Sequence, residues 1–160
     1  MGARPDRRVI GLVAIGLAVA MVAWFVWFRS DARQIRRQLT GVADRINEPS
    51  EGLSAVAKAA TIGSAFIDDV VVDLGEGAPI RGRETIMGII ARVQPRTSRY
   101  EVTIRDMNVH VVDAQSASVD LSVTTNGENG MDAREFQIGM VKRDRTWLIG
   151  RVTPVKVLEK

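Results

Sequence analysis

The chain contains one histidine, one tyrosine and no cysteine, so few side chains are equipped for catalysis. His110 lies in an alternating stretch: Met107, Val109 and Val111 are apolar, while Asn108, His110 and Val112 take the other face. A histidine on a strand can serve as a general base if its face lines a pocket; otherwise it is a solvated surface side chain. Asp68, Asp69 and Asp73 bracket a short β-rich run, Val70 to Leu74. Asp69 and Asp73 are expected on one strand face, where paired carboxylates can divide acid and base roles, or simply mark a solvated strand end. Glu135, Gln137 and Arg151 face either a cavity or water, and Tyr100 opens a strand as a core residue. The weak catalytic candidates are therefore His110, Asp69 and Asp73.

Several sharper chemistries are excluded. Without cysteine there are no disulfides, thiolate metal sites or cysteine nucleophiles. One histidine and scattered carboxylates lack metal-ligand spacing. Gly75-Glu76-Gly77 lacks the Lys-Ser/Thr ending of a phosphate loop, and no serine has the sequence context of a hydrolase nucleophile. No cofactor or metal is expected. Of the 22 Lys and Arg and 19 Asp and Glu, three and one precede Val9, leaving 19 against 18 beyond Phe28. That near-neutral, interspersed balance lacks the basic stripe of a nucleic-acid binder.

The strongest signal is elsewhere. Val9 to Phe28 carries twenty residues without a charge. As a helix it rises about 30 Å, the thickness of the bilayer's hydrocarbon core. Arg7 and Arg8 flank one end, and Arg29 and Arg33 the other, placed to snorkel to the interfaces. Trp24 and Trp27 sit where an aromatic belt belongs. No small-residue cleavage site follows the run, which argues against a cleaved signal peptide. Gly16 and Ala20 form a small-xxx-small pair suited to close helix packing in a membrane. The division expected is a basic tail (1–8), a transmembrane helix (9–28), a juxtamembrane amphipathic helix (29–49) and the rest of one domain (50–160). A short, positively charged amino-terminal tail favours an inside tail and an exported domain, on the extracytoplasmic side of a bacterial inner membrane.

Beyond the apolar run, Ala32, Ile35, Leu39, Val42 and Ile46 step at helical spacing. Pro49 ends that helix, and Ser50 is expected to cap a second one that buries Leu53, Val56, Ala57, Ala60 and Phe66. A short strand follows, then a third helix from Arg83 to Val93 with Ile86, Ile89, Ile90 and Val93 as its apolar side. Alternation then predicts a run of antiparallel strands. A change of phase near Arg105-Asp106 predicts a bulge or turn, and turn residues stand at 126–130 and 143–145. Val155 and Val157 are candidates to extend the last strand past Pro154. Helices grouped ahead of a meander make an α+β domain, its helices on one face of a curved, mostly antiparallel sheet.

This order of elements resembles the nuclear transport factor 2-like (SnoaL-like) superfamily. Ile80-Arg81-Gly82-Arg83-Glu84-Thr85-Ile86 resembles that family's Gly-x-Glu-x-Ile lead into its third helix, and Trp147-Leu148-Ile149-Gly150-Arg151-Val152 its closing strand. The likeness spans roughly residues 33 to 155. It implies a cone whose wide end can hold a pocket, with Gly82 making a tight turn and Trp147 filling the core. Single-pass proteins of this fold resemble inner-membrane assembly factors, a likeness of fold alone. The function expected is a membrane-anchored, non-enzymatic interaction module, an accessory or assembly subunit. Its partners would be the lipid bilayer and other membrane subunits, or a second copy in a homodimer. The alternative is a small-molecule-binding or acid–base enzyme domain using the cone pocket.

Overall fold

The computed structural model describes residues 7–92, 101–127 and 130–155; within the first helix, the side chains at 7–15, 19–20 and 22–29 lie outside the description. The side chains of Arg7, Arg8, Ala20, Trp24, Trp27 and Arg29, and all of Val93, Tyr100 and Val157, therefore fall outside the described residues. The elements are α1 (Arg7–Asn47), α2 (Leu53–Gly63), β1 (Phe66–Val72), β2 (Ile80–Arg81), α3 (Arg83–Arg92), β3 (Glu101–Val111), β4 (Ser116–Gly127), β5 (Gly130–Arg143) and β6 (Thr146–Pro154). They form one six-stranded sheet in the order β2-β1-β6-β5-β4-β3, antiparallel except where β1 runs beside β6.

The apolar run and the amphipathic segment belong to one helix of 41 residues. Among the described residues no helix is long and apolar enough to cross a membrane. Gly16 of the small-residue pair is exposed, with open space around the position of a Cβ. The domain half of α1 buries Asp31, Ile35, Leu39 and Ala43, each one turn from the last, while Ile46 is exposed. The helix lies along the strands. Asp31 and Gln34 meet the end of the sheet holding Lys142 and Arg145, and Asn47 meets Val102 at the opposite end, on the outermost strand.

The second helix differs from its sequence reading. It begins at Leu53, with Gly52 (φ 57°) in the cap position in place of Ser50. Ser54 closes the preceding turn by bonding Glu51 N and O. Its buried residues are Ala55, Ala59, Ile62 and Gly63, so Leu53 (90% exposed) and Val56 (58% exposed) face outward. Small residues win the inner face because α2 packs tightly on α3. A Cβ at Gly63 would run into the Met87 side chain of α3, and larger groups at that position would press the helices apart. Phe66 belongs to β1, which starts before Val70 and stops at Val72, short of Leu74.

The strand readings hold more closely. The register of β3 on β4 shifts between Ile104 and Asp106, the bulge expected there. Asp144 (φ 48°) and Arg145 (φ 66°) make the β5–β6 turn with two consecutive left-handed residues, the geometry that matches strand twist. Gly82 (φ 83°) turns β2 into α3 while its N–H bonds Val70 O. Val155 N still bonds Glu135 O just past β6. The core lies between helices and sheet and contains Ile35, Leu39, Ile62, Val70, Met140 and Trp147, with the last fully buried.

Two measurements follow. Ile62→Ala should lower the unfolding free energy by about 2–5 kcal/mol in urea titrations, whereas Leu53→Ser should stay within about 0.5 kcal/mol; the reverse order would restore the sequence reading of α2. In the β3–β4 turn, Ser116 Oγ and then Gln115 N–H donate to Asp113 and hold its carboxyl below the usual carboxylate range. A depressed carboxylate stabilises above its unfolded pKa and loses that contribution as pH falls through the folded one. Ser116→Ala should therefore move the Asp113 titration upward by NMR; an unchanged titration would remove Ser116 as the cause.

Candidate functional site

The three catalytic candidates are not brought together. β1 and β3 are separated by four strand spacings, which puts Asp69 and His110 about 19 Å apart across the sheet. β1 is bulged between Phe66 and Val71, and Asp73 lies past its end, so Asp69 and Asp73 do not share a regular strand face. Asp73 Oδ1 accepts the Gly75 N–H at 2.8 Å, a turn-forming role. Asp68 pairs with Arg83 at 2.5 Å, and Asp69 is exposed. His110 stands on the sheet face away from the helices, where its Nε2 is 3.5 Å from Asp120 Oδ2, with the two side chains 61% and 52% exposed. Gln137 donates to the other Asp120 oxygen at 3.4 Å. A His–Asp pair this exposed is a solvated surface contact, and the grooves lined by described residues at the margins of the domain do not include it. Gln137 and Arg151 share its exposure, and Glu135, also exposed, lines a groove of about 470 Å³. Among the described residues no group of His, Asp and Glu is placed to hold a metal.

Among the described residues, the core side chains named above pack between the helices and the sheet. The open spaces lie at its margins. One groove of about 470 Å³ sits between the β1–β2 loop and the β4–β5 hairpin. Its polar groups are largely engaged: Arg105 Nε donates to Thr124 Oγ1 at 3.1 Å, and Arg134 pairs with Asp132 and Glu76, both at 2.7 Å. Those two carboxylates, Asp132 first, raise the Arg134 guanidinium above its usual range and keep it charged.

The most constrained polar arrangement is at the other end, where α1 meets the sheet. Lys142 and Trp147 are cross-strand partners on β5 and β6. The Lys142 ammonium lies 5.3 Å from the centre of the Trp147 ring and 2.6 Å from Asp31 Oδ1. The Asp31 and Lys142 side chains are only 5% and 15% exposed. Such a pair repays its desolvation only with good geometry and full hydrogen bonding; here an ion pair joins a cation–π contact, while Asp31 Oδ2 has no hydrogen-bond partner among the described residues. Gln34 Nε2 also donates to Arg145 O at 3.2 Å, drawing the β5–β6 turn against α1. Gln34 is six residues past Phe28, about 9 Å along the helix axis. Arg143 and Arg145, on that turn, thus join Arg33, Arg36 and Arg37 at one end of the domain, all of them exposed. Sequence reading placed the helix arginines beside the apolar run but not the turn arginines. It also left Asp31 and Lys142 unassigned, since only the fold brings residues 111 positions apart into contact.

Breaking one partner of this pair should be worse than removing both. Asp31→Leu or Lys142→Met alone should destabilise by about 3–5 kcal/mol in denaturant titrations, and the double variant should recover most of that loss. Additive losses would mean that the two groups act separately.

No family model matches the sequence, and no curated protein matches it by sequence. Solved structures do match by shape. A nuclear transport factor 2-like protein with a cystatin-like fold from Novosphingobium aromaticivorans has a TM-score of 0.68 at 11% identity, over 87% of this chain and 90% of that one. A nuclear transport factor 2-like protein of unknown function from Shewanella oneidensis has 0.63 at 11%, over 79% and 99%. The association domain of CaMKII from C. elegans has 0.62 at 17%, over 80% and 97%. At these identities what is shared is architecture, and the architecture of this α+β domain is that of the nuclear transport factor 2-like proteins.

Proposed function

We propose that the chain is a membrane-anchored interaction module, a non-enzymatic accessory or assembly subunit of a larger membrane protein complex. The observation that carries this reading is the continuity of α1. The helix holding the uncharged run 9–28 enters the domain without interruption and contributes Ile35 and Leu39 to its core. A helix built that way transmits position and orientation from a bilayer to the sheet. The buried Asp31–Lys142 pair ties it to the sheet three residues past the run. The basic end formed by Arg33, Arg37, Arg143 and Arg145 suits anionic headgroups, each such residue adding about 1 kcal/mol near a charged surface. The short, positively charged tail favours an exported domain, on the extracytoplasmic side of a bacterial inner membrane. The apolar core packed between the described helices and sheet also supports surfaces over a buried pocket as the means of action. The same architecture carries the association domain of CaMKII, so association is within its repertoire.

A small-molecule reading has grooves on its side, one of about 580 Å³ between α1 and the start of β3 and one of about 470 Å³ near Arg105 and Arg134. In the second of these Arg134 is already paired with Asp132 and Glu76, while Arg105 donates one N–H to the neutral Thr124 hydroxyl.

The first test is purification of the full-length protein in mild detergent with its stable partners identified by mass spectrometry. A stoichiometric complex of membrane proteins is the expected result. Recovery of the chain alone, as monomer or homodimer, would refute the subunit reading.

A further inference from the structure

β3 is the outer strand of the sheet, and its free edge is treated differently along its length. At Val102 the Asn47 side chain acts as a substitute strand. Its Nδ2 donates to Val102 O and its Oδ1 accepts from Val102 N, both at 2.8 Å. Val102 therefore turns its backbone groups outward. Past the bulge at Arg105 the phase is fixed from the other end, because Val112 N bonds Ser116 O at 3.0 Å, inward to β4. Residues 106, 108 and 110 share that inward direction, so Met107, Val109 and Val111 turn theirs out. Asp106 Oδ1 takes the Met107 N–H at 2.9 Å. The Met107 C=O and both backbone groups of Val109 and Val111 have no partner among the described residues.

An edge is usually blunted by a bulge, a proline, a charged side chain or a covering element. Among the described residues, those devices extend from Val102 to Asp106 and none lies along Met107 to Val111. The uncovered segment continues the sheet's two faces. Met107, Val109 and Val111 pack against the core at its rim, and Asn108 and His110 stand on the outer face. Beside them on that outer face are the exposed carboxylates Asp106 and, on β4, Asp120.

We infer that the Met107–Val111 edge binds an extended segment of a different protein as a seventh strand, with apolar residues on the inner face and a lysine or arginine on the outer face. Main-chain hydrogen bonds supply the affinity, and the alternation supplies the register. The choice of a different protein over a second copy rests on the membrane-anchor reading above. Two copies of one edge pair antiparallel about a twofold axis normal to the sheet. That axis reverses every direction in the sheet plane, including that of α1, which lies along the strands. The two apolar runs would then leave in opposite directions and could not enter one bilayer. A parallel pair is no alternative, because its hydrogen bonds are staggered by one residue and no twofold axis relates them. The open segment also lies in the half of the sheet nearer the apolar run, beside Lys142 and the Asp31 end of α1, within reach of a partner held in the same membrane.

The test uses full-length protein in nanodiscs and, as probe, a capped seven-residue peptide alternating lysine and valine. The control is a peptide of the same composition with its lysines and valines in blocks. Hydrogen exchange of the Val109 and Val111 amides should slow about tenfold at 90% occupancy with the alternating peptide only. Val109→Pro, which deletes an outward N–H and no internal bond, should abolish binding while leaving the unfolding midpoint near that of the parent. Asp106→Asn should weaken binding about two- to fivefold, as for an exposed ion pair. Equal binding of the blocked peptide, protection elsewhere on the domain, or unchanged binding by Val109→Pro would overturn the proposal. The anchor is checked separately by alkaline carbonate extraction. A chain released from the membrane refutes the anchor and leaves the peptide result to judge the edge. A dimer in which the 109 and 111 amides are already protected assigns the edge to a second copy and overturns the inference.

Discussion

Everything in this molecule depends on α1 being held against the sheet at both ends. At one end Asp31 meets Lys142 over the Trp147 ring, with both charges largely removed from water. At the other, Asn47 satisfies the outward backbone of Val102. Between them Ile35 and Leu39 enter the core. The buried pair gains little as a net contribution to stability, since desolvation offsets most of its attraction. What it supplies is position. An apolar contact lets a helix slide by a turn, whereas a buried charge has one acceptable partner, so Asp31 sets where along the sheet the helix stops.

That constraint separates the domain's surfaces by role. The helix-facing side of the sheet carries the core. The opposite side carries Asn108, His110, Ser118, Asp120 and Gln137, together with the exposed Val112 and the half-buried cross-strand pair Val141 and Leu148. The margins hold what remains available: the groove at Arg105 and Arg134, the arginine-rich end beside the apolar run, and the uncovered stretch of β3. Recognition by such a domain falls to its edges and ends.

The sequence carried the fold in its periodicities. Alternation located β3 to β6, the change of phase at Arg105-Asp106 marked the bulge, and turn chemistry marked 126–130 and 143–145. Gly82 and Trp147 have the roles that the family resemblance implied for them. The failure at α2 has a physical cause. Leu53 and Val56 form the more hydrophobic face, but Ala55, Ala59 and Gly63 form the thinner one, and a close helix contact selects thinness. Hydrophobicity alone does not report that choice. The candidate site was less legible still. His110 was readable as a strand residue with two possible environments, and only strand order shows it far from Asp69. Asp31 and Lys142 sit in stretches whose local pattern calls for nothing charged in a core. Their meeting is a property of the tertiary fold.

The central claim is that one straight helix runs from a bilayer into the core. It is most directly measured by pulsed electron paramagnetic resonance on Leu17→Cys/Thr40→Cys, nitroxide-labelled in nanodiscs; the chain has no other cysteine. Uninterrupted helix over these 23 residues gives a narrow distance distribution near 35 Å. The label at 17 should also be relaxed by oxygen and shielded from a water-soluble nickel reagent. A broad or much shorter distribution, or a label at 17 open to nickel, would contradict the account.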